Sequence, residues 1–213
     1  MLHILKMVKN EIIAKLNDDS LATLRSAYGH WLYERDVTRY LEKKRDFIFI
    51  DVGAALGFYE WKMKPYAREM HAFEPDPVRY PLLVKNVRGI SSVRTYQIAL
   101  SNVNGVCDFY TDFTNLSGSL KGEHPEKKFK SPPIKIATRT LDSLFDKVDI
   151  VKIDSEGSEL EVLQGAVKLI EKCHPEFIIE CHPPHSTDEM MVEFFKQYDY
   201  KSRCLGHLLF KKE

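Results

Sequence analysis

Phe47-Ile48-Phe49-Ile50-Asp51-Val52-Gly53-Ala54-Ala55-Leu56-Gly57 is the stretch on which the fold turns. Its four leading apolar residues mark a strand buried on both faces, the habit of parallel sheets. The strand runs into a turn built from glycine and alanine, and helical spacing resumes beyond it through Tyr66. Strand, glycine turn and helix open a doubly wound α/β unit, in which ligands bind beyond the carboxyl ends of the strands.

The alternation continues downstream. Met70-His71-Ala72-Phe73 reads as a second strand, Pro77 to Asn86 as a helix with proline in its first turn, and Val93 to Leu100 as a third strand. Residues 101–137 break the rhythm. Val106 to Tyr110 and Ile134 to Ala137 look like strands, but between them lie Ser117-Gly118-Ser119, Lys127, Lys128 and Lys130. This predicts a hairpin-like insertion with a mobile tip, on the ligand side, able to close over a substrate. Leu141 to Phe145 is then a short helix, Asp149 to Ile153 a strand, Ser158 to Glu171 a helix, Glu176 to Ile179 a strand and Asp188 to Gln197 a helix. Tyr200 to Cys204 and His207 to Phe210 are joined too tightly for a parallel crossover, so they pair antiparallel. Upstream, Val8, Ile12, Ile13 and Leu16 carry helical spacing, a second helix starts near Leu21, and a third piece holds Val37, Tyr40 and Leu41. The expected organisation is a helical cap over 1–45 and an α/β domain over 46–213.

Composition bounds this picture. The chain has 213 residues, 44% hydrophobic, with 31 Lys+Arg against 31 Asp+Glu. That suffices for one core and excludes a disordered chain. Zero net charge counts against a broad basic face for nucleic acid, though not against a local patch. Cys107, Cys173, Cys181 and Cys204 form no C-x-x-C pair and read as small buried hydrophobes. No signal peptide is legible and no apolar run nears the roughly 20 residues of a membrane span, so the expectation is a cytoplasmic protein without membrane contact.

The glycine turn fails two nucleotide fingerprints. Glycines at first, third and sixth positions are missing whether counted from Asp51 or Gly53, and no Gly-Lys-Ser/Thr follows. An anionic Asp51 at its head suits a cationic ligand better than a pyrophosphate. S-adenosylmethionine carries both a sulfonium and an ammonium. Glu74 stands 74 − 51 = 23 residues beyond Asp51, at the tip of the second strand. There an acid accepts the ribose hydroxyls of a nucleoside. NAD shares that ribose, so the turn, rather than Glu74, favours S-adenosylmethionine.

Four stretches together resemble the FkbM-type family of S-adenosylmethionine-dependent methyltransferases. They are Asp51-Val52-Gly53-Ala54 with Gly57; Ala72-Phe73-Glu74-Pro75-Asp76-Pro77 with Leu83 and Asn86; Ala99-Leu100-Ser101 with Gly105; and Thr140-Leu141-Asp142 followed by Lys152-Ile153-Asp154-Ser155-Glu156-Gly157, Glu159, Gly165-Ala166 and Pro175 to Glu180. Ala55 stands where the family commonly has Asn, and Ser155 where Val is frequent. The resemblance implies a class I methyltransferase fold, mostly parallel with an antiparallel C-terminal hairpin. It implies O-methyl transfer to a small-molecule or glycan hydroxyl, with the cofactor held by Asp51, Gly53, Ala54, Gly57, Glu74, Pro75, Ala99, Leu100 and Asp154.

An alcohol acceptor needs its proton removed, by a base or after metal polarisation. The candidates are Asp154 and Glu156 after one strand, Glu180 and His182 at the tip of the next, and His185 just beyond. Glu180 and His182, two apart on a strand, share a side. Glu180-x-His182-x-x-His185 with Asp154 offers oxygen and nitrogen ligands, but Pro183-Pro184 stiffens the backbone and no zinc spacing is met, so no metal is expected. The competing readings are an RNA or tRNA methyltransferase, disfavoured by the acidic 154–157 turn and the neutral charge, and a nucleoside-binding module without turnover. The C-terminal hairpin offers an edge for homodimer pairing.

Overall fold

The computed structural model describes residues 34–112, 117–122 and 132–212. The two N-terminal helices expected near residues 8–28, and Lys127, Lys128 and Lys130, lie outside the described residues. The third expected helical piece is α1 (Arg35–Leu41). Its Val37 and Leu41 pack against Phe47 and Phe49, so α1 is part of the sheet's core.

The central sheet holds β1 (Phe47–Val52), β2 (Ala67–Phe73), β3 (Val93–Tyr96), β8 (Ile150–Ile153), β9 (Glu176–Ile179), β10 (Tyr200–Cys204) and β11 (Leu208–Lys212). Their order is β10-β11-β9-β8-β1-β2-β3. Strands β3, β2, β1, β8 and β9 run parallel, and β11 pairs antiparallel with both β9 and β10. Chain order reverses between β1 and β8, which makes the tips of these two strands the switch point where α/β sheets bind ligands. The helices α2 (Phe58–Met63), α3 (Arg79–Asn86), α4 (Leu141–Leu144), α5 (Glu159–Gln164), α6 (Val167–Cys173) and α7 (Asp188–Lys196) complete the layers.

The structure corrects three readings. The stretch from Val93 to Leu100 is two strands. β3 ends at Tyr96, whose ring stacks on Phe73 at 4.6 Å between centroids. Ala99–Leu100 is β4, which leaves the central sheet and pairs with β7 (Ile134–Arg139). The insertion is likewise more built than a hairpin with a tip. β5 (Gly105–Asp112) and β6 (Ser117–Ser119) join β4 and β7 in a second, four-stranded sheet of order β4-β7-β5-β6.

The third correction is the helix expected from Ser158 to Glu171, which is α5 and α6 separated at Gly165-Ala166. A close approach sits at the break: a Cβ on Gly165 would lie 2.2 Å from the backbone carbonyl oxygen of Ser101. The new helix start is capped from elsewhere. Asp142 accepts from Lys168 N at 2.9 Å and Leu169 N at 3.0 Å, satisfying donors that a first turn leaves open. Gly165→Ala is therefore expected to cost about 1–3 kcal/mol through overpacking. Thermal melts should fall by about 3–10 °C, and an unchanged melt would show that the Ser101 turn is free to move.

Candidate active site

Each wall of the cleft comes from a strand tip. β1 delivers the chain to Gly53 at φ +81, where an added Cβ would stand 1.9 Å from the Asp154 carbonyl oxygen, so the exits of β1 and β8 touch only because residue 53 is glycine. The Phe73 carbonyl accepts from Gly53 N and Ala54 N and holds the turn against β2. Glu74 then closes the floor. One of its oxygens accepts from Ala55 N and the other from Asp76 N, both at 2.9 Å. Burial pushes its carboxyl up to about 7 against the opposing charge of Arg79.

Gly53, Glu74, Pro75, Ala99, Leu100 and Asp154, six of the expected cofactor residues, line one cleft, together with Glu156. The other three stand behind it. Ala54 packs on Ala72, Leu83 and Val87. A Cβ on Gly57 would lie 2.8 Å from Val87, and Asn86 ties its neighbour Leu56 down by donating to the Leu56 carbonyl at 2.9 Å. Asp51 is 1% exposed and spent on Lys152, so its charge serves a buried partner first. Sequence reasoning missed Arg79, Phe109 and Ser158 in the wall, and named Ala55, Gly118 and Ser155 near the ligand without a binding role. Ser155 Oγ, Ser158 Oγ and two Arg79 nitrogens are buried there without a hydrogen-bond partner. Polar atoms orphaned in one cleft fit a polar ligand that completes them.

Behind the cleft lies a charge network centred on Lys152, which is 3% exposed in the apolar run Ile150-Val151-Lys152-Ile153. Its ammonium stands 3.6 Å from Asp51, 3.4 Å from Asp154 and 5.0 Å from the centre of the Tyr59 ring. Burial disfavours the ammonium, but Asp154, Asp51, Glu34 and Glu180 outweigh it and keep Lys152 charged. Burial pushes Asp51 up to about 6, with Lys152 opposing and Asp154 and Glu34 adding to the rise. Fully buried Glu60 is raised well above the carboxylate range by burial and by Asp51. Glu34, just before α1, accepts from Tyr59 Oη and lies 2.8 Å from His207 Nε2. A lysine inside a buried strand was the sequence signal for this network. Nothing local announces Glu34 or His207.

The four expected catalytic residues fall into two groups. Glu180 belongs with His207, at 3.8 Å, and takes no part in the cleft wall. Asp154, Glu156 and His182 come together: His182 Nε2 lies 3.7 Å from Asp154 Oδ1 and 3.6 Å from Glu156 Oε2. The other ring nitrogen is 3.0 Å from Glu159 Oε1. Burial alone would lower the His182 pKa, but the Glu159 bond and the charges of Asp154, Glu159 and Glu156 push it up to about 9. The surrounding carboxylates thus favour the protonated ring as long as no cation lies between it and them. Burial also works against Asp154, but Lys152 and His182 hold its carboxyl below the usual range. His185 packs its Cβ over Gly157.

The FkbM methyltransferase domain matches residues 51–202. The chain belongs to the FkbM methyltransferase family. Among its relatives, the 2-O-methyltransferase NoeI of Sinorhizobium fredii is 26% identical over 159 residues, covering 65% of this chain and 64% of that protein. The hexuronic acid methyltransferase AglP of Haloferax volcanii is 29% identical over 157 residues, covering 70% of this chain and 62% of that protein. The chain thus spans somewhat less than two thirds of the length of these curated relatives. The crystal structure of an FkbM methyltransferase from Methylobacillus flagellatus superposes with a TM-score of 0.55 at 16% identity, over 96% of this chain and 58% of that one, and shows the shared class I fold. Two of the residues that carry the family resemblance have plain physical jobs here: Asp142 caps α6, and Asn86 holds the glycine turn.

Proposed function

We propose that this FkbM-family chain is an S-adenosylmethionine-dependent methyltransferase acting on a hydroxyl of a small molecule or glycan. The observation that carries the reading is the junction of two features in one cleft: a buried Glu74 anchored by two backbone N–H groups, and the Asp154–Glu156 carboxylates on the facing strand tip. Glu74 would take the ribose hydroxyls, while Gly53, Pro75, Ala99 and Leu100 shape the walls and Ser155, Ser158 and Arg79 offer unpaired polar atoms. When bound, the cofactor supplies a methyl carbon on a sulfonium for in-line displacement.

The chain's own groups position and polarise. Asp154 stays ionised between Lys152 and His182 and orients the acceptor hydroxyl. The buried Lys152 network fixes that carboxylate, so alignment is set before the acceptor arrives. The names of the two relatives, one specifying 2-O transfer and the other a hexuronic acid, support an oxygen acceptor on a carbohydrate. Among the described residues no helix is long and apolar enough to cross a membrane.

The test is methyl transfer from radiolabelled S-adenosylmethionine into fractionated metabolite and glycan extracts. Label is expected in a fraction that resists RNase. Label lost on RNase treatment would identify an RNA acceptor instead, and cofactor binding without transfer to any fraction would leave only a nucleoside-binding module.

A further inference from the structure

Asp154, Glu156 and His182 offer ligand atoms that all lie within 4.8 Å of one another. Two features separate this group from an ordinary ion pair. The first is spacing. His182 Nε2 stands 3.7 Å from one carboxylate and 3.6 Å from the other, beyond hydrogen-bond reach of both. A divalent ion with bonds of about 2.1 Å holds ligand atoms about 3.0–3.4 Å apart, so the three side chains need close in by only a few tenths of an ångström to ligate one.

The second feature is support. The His182 ring is aimed by Glu159, a fully buried carboxylate. Glu159 is itself pinned by Ser155 N at 3.0 Å, Gly157 N at 3.1 Å and Ser186 Oγ at 2.5 Å. A carboxylate that orients the far nitrogen of a histidine is the usual outer support of a metal-binding imidazole. On the other side, Lys152 occupies Asp154 Oδ2, and Oδ1 is the oxygen nearest His182. The Ser119 hydroxyl donates to the Glu156 carbonyl at 2.7 Å and ties that residue to the second sheet.

A second group of similar composition fails the same comparison. In Glu34, Glu180 and His207, the His207 Nε2 is already 2.8 Å from Glu34, and Tyr59 donates to the same oxygen. That group is closed by its own hydrogen bonds.

We propose that Asp154, Glu156 and His182 form a divalent-cation site at the edge of the cleft, and that the acceptor hydroxyl binds to the ion there. Two carboxylates and one imidazole suit a transition ion such as Mn²⁺ better than Mg²⁺, and three protein ligands leave positions for acceptor oxygens. A vicinal diol or a hydroxyl beside a carboxylate would fill two of them. This deepens the methyl-transfer reading and rests on it for the acceptor. The bound hydroxyl, acidified by the ion, releases its proton to water; its oxygen forms a bond to the methyl carbon as the carbon–sulfur bond breaks, and the electron pair remains on sulfur as a neutral thioether.

The experiment is Mn²⁺ binding to the full chain after chelator treatment, followed by electron paramagnetic resonance and calorimetry. One site is expected, with pulsed spectra showing coupling to the nitrogen of a single imidazole. Asp154→Asn and His182→Ala should each weaken binding at least tenfold, and Glu159→Gln about tenfold or more. Failure of the unaltered chain to bind Mn²⁺, or a bound ion without nitrogen coupling, overturns the site whether or not the variants fold. Methyl transfer that persists undiminished in chelator also overturns it while leaving the methyltransferase reading intact. Mn²⁺ bound with the expected nitrogen coupling, in a chain that methylates nothing, supports the site and removes the methyl-transfer reading.

Discussion

Lys152→Met is expected to destabilise the chain by about 3–5 kcal/mol, the cost of leaving buried charges without their partner. The melting temperature should drop by about 6–20 °C. The substitution keeps the apolar stem that fills the strand, so the loss reports on charge rather than on a cavity. Asp51 and Asp154, at 3.6 and 3.4 Å from the ammonium, lose the cation they share, and Glu34 loses part of its support. The sign with pH follows. Without Lys152, Asp51, already raised to about 6, moves higher and Asp154 and Glu34 lose a charge that lowers them, so the folded variant binds more protons than the folded parent does. Stability of the variant relative to the parent must therefore fall as pH rises through the raised values. Melts at pH 5.5 and pH 8 should show the deficit larger at pH 8. No deficit would mean that the network adds nothing, and a deficit equal at both pH values would mean that the loss comes from packing rather than from charge.

Glu74→Gln is expected to weaken S-adenosylmethionine binding about 10- to 100-fold at pH 8, the worth of a hydrogen-bonded charge. Burial has pushed this carboxyl up to about 7, and the ribose hydroxyls need its ionised form. Binding by the parent should then strengthen by about tenfold between pH 6 and pH 8, whereas the variant should bind equally at both. The unliganded parent shows the reverse trend: its folded pKa exceeds the unfolded carboxylate value, so Glu74 contributes falling stability from about pH 4.5 to about pH 7. The thermal shift produced by the cofactor should accordingly be larger at pH 8. Calorimetric titration at the two pH values checks both statements. Parent binding that does not change with pH would remove Glu74 from the ribose.

Much of the site was legible because it is local. A buried strand followed by a glycine turn locates the switch point, and the 23-residue step to Glu74 places an acid at the neighbouring strand tip. Asp154 and Glu156 follow their strand in the same way. Of the nine expected cofactor residues, those behind the wall share a feature. Asp51, Ala54 and Gly57 belong to the turn as surely as Gly53 does, but their side-chain directions depend on what packs beneath them.

The sequence by itself determined the α/β alternation, the antiparallel close at the C-terminus and the order of strand tips at which a nucleoside would bind. These follow from hydrophobic period and turn chemistry, which act over a few residues. Only the tertiary structure decided that β4 leaves the central sheet, that Gly165 breaks a helix, and that Lys152 gathers its acids. It alone brought His207 against Glu34, 173 residues away, and Glu159 against His182, 23 residues away. Those juxtapositions depend on how layers pack, and no short window of sequence carries the distance between two strand tips.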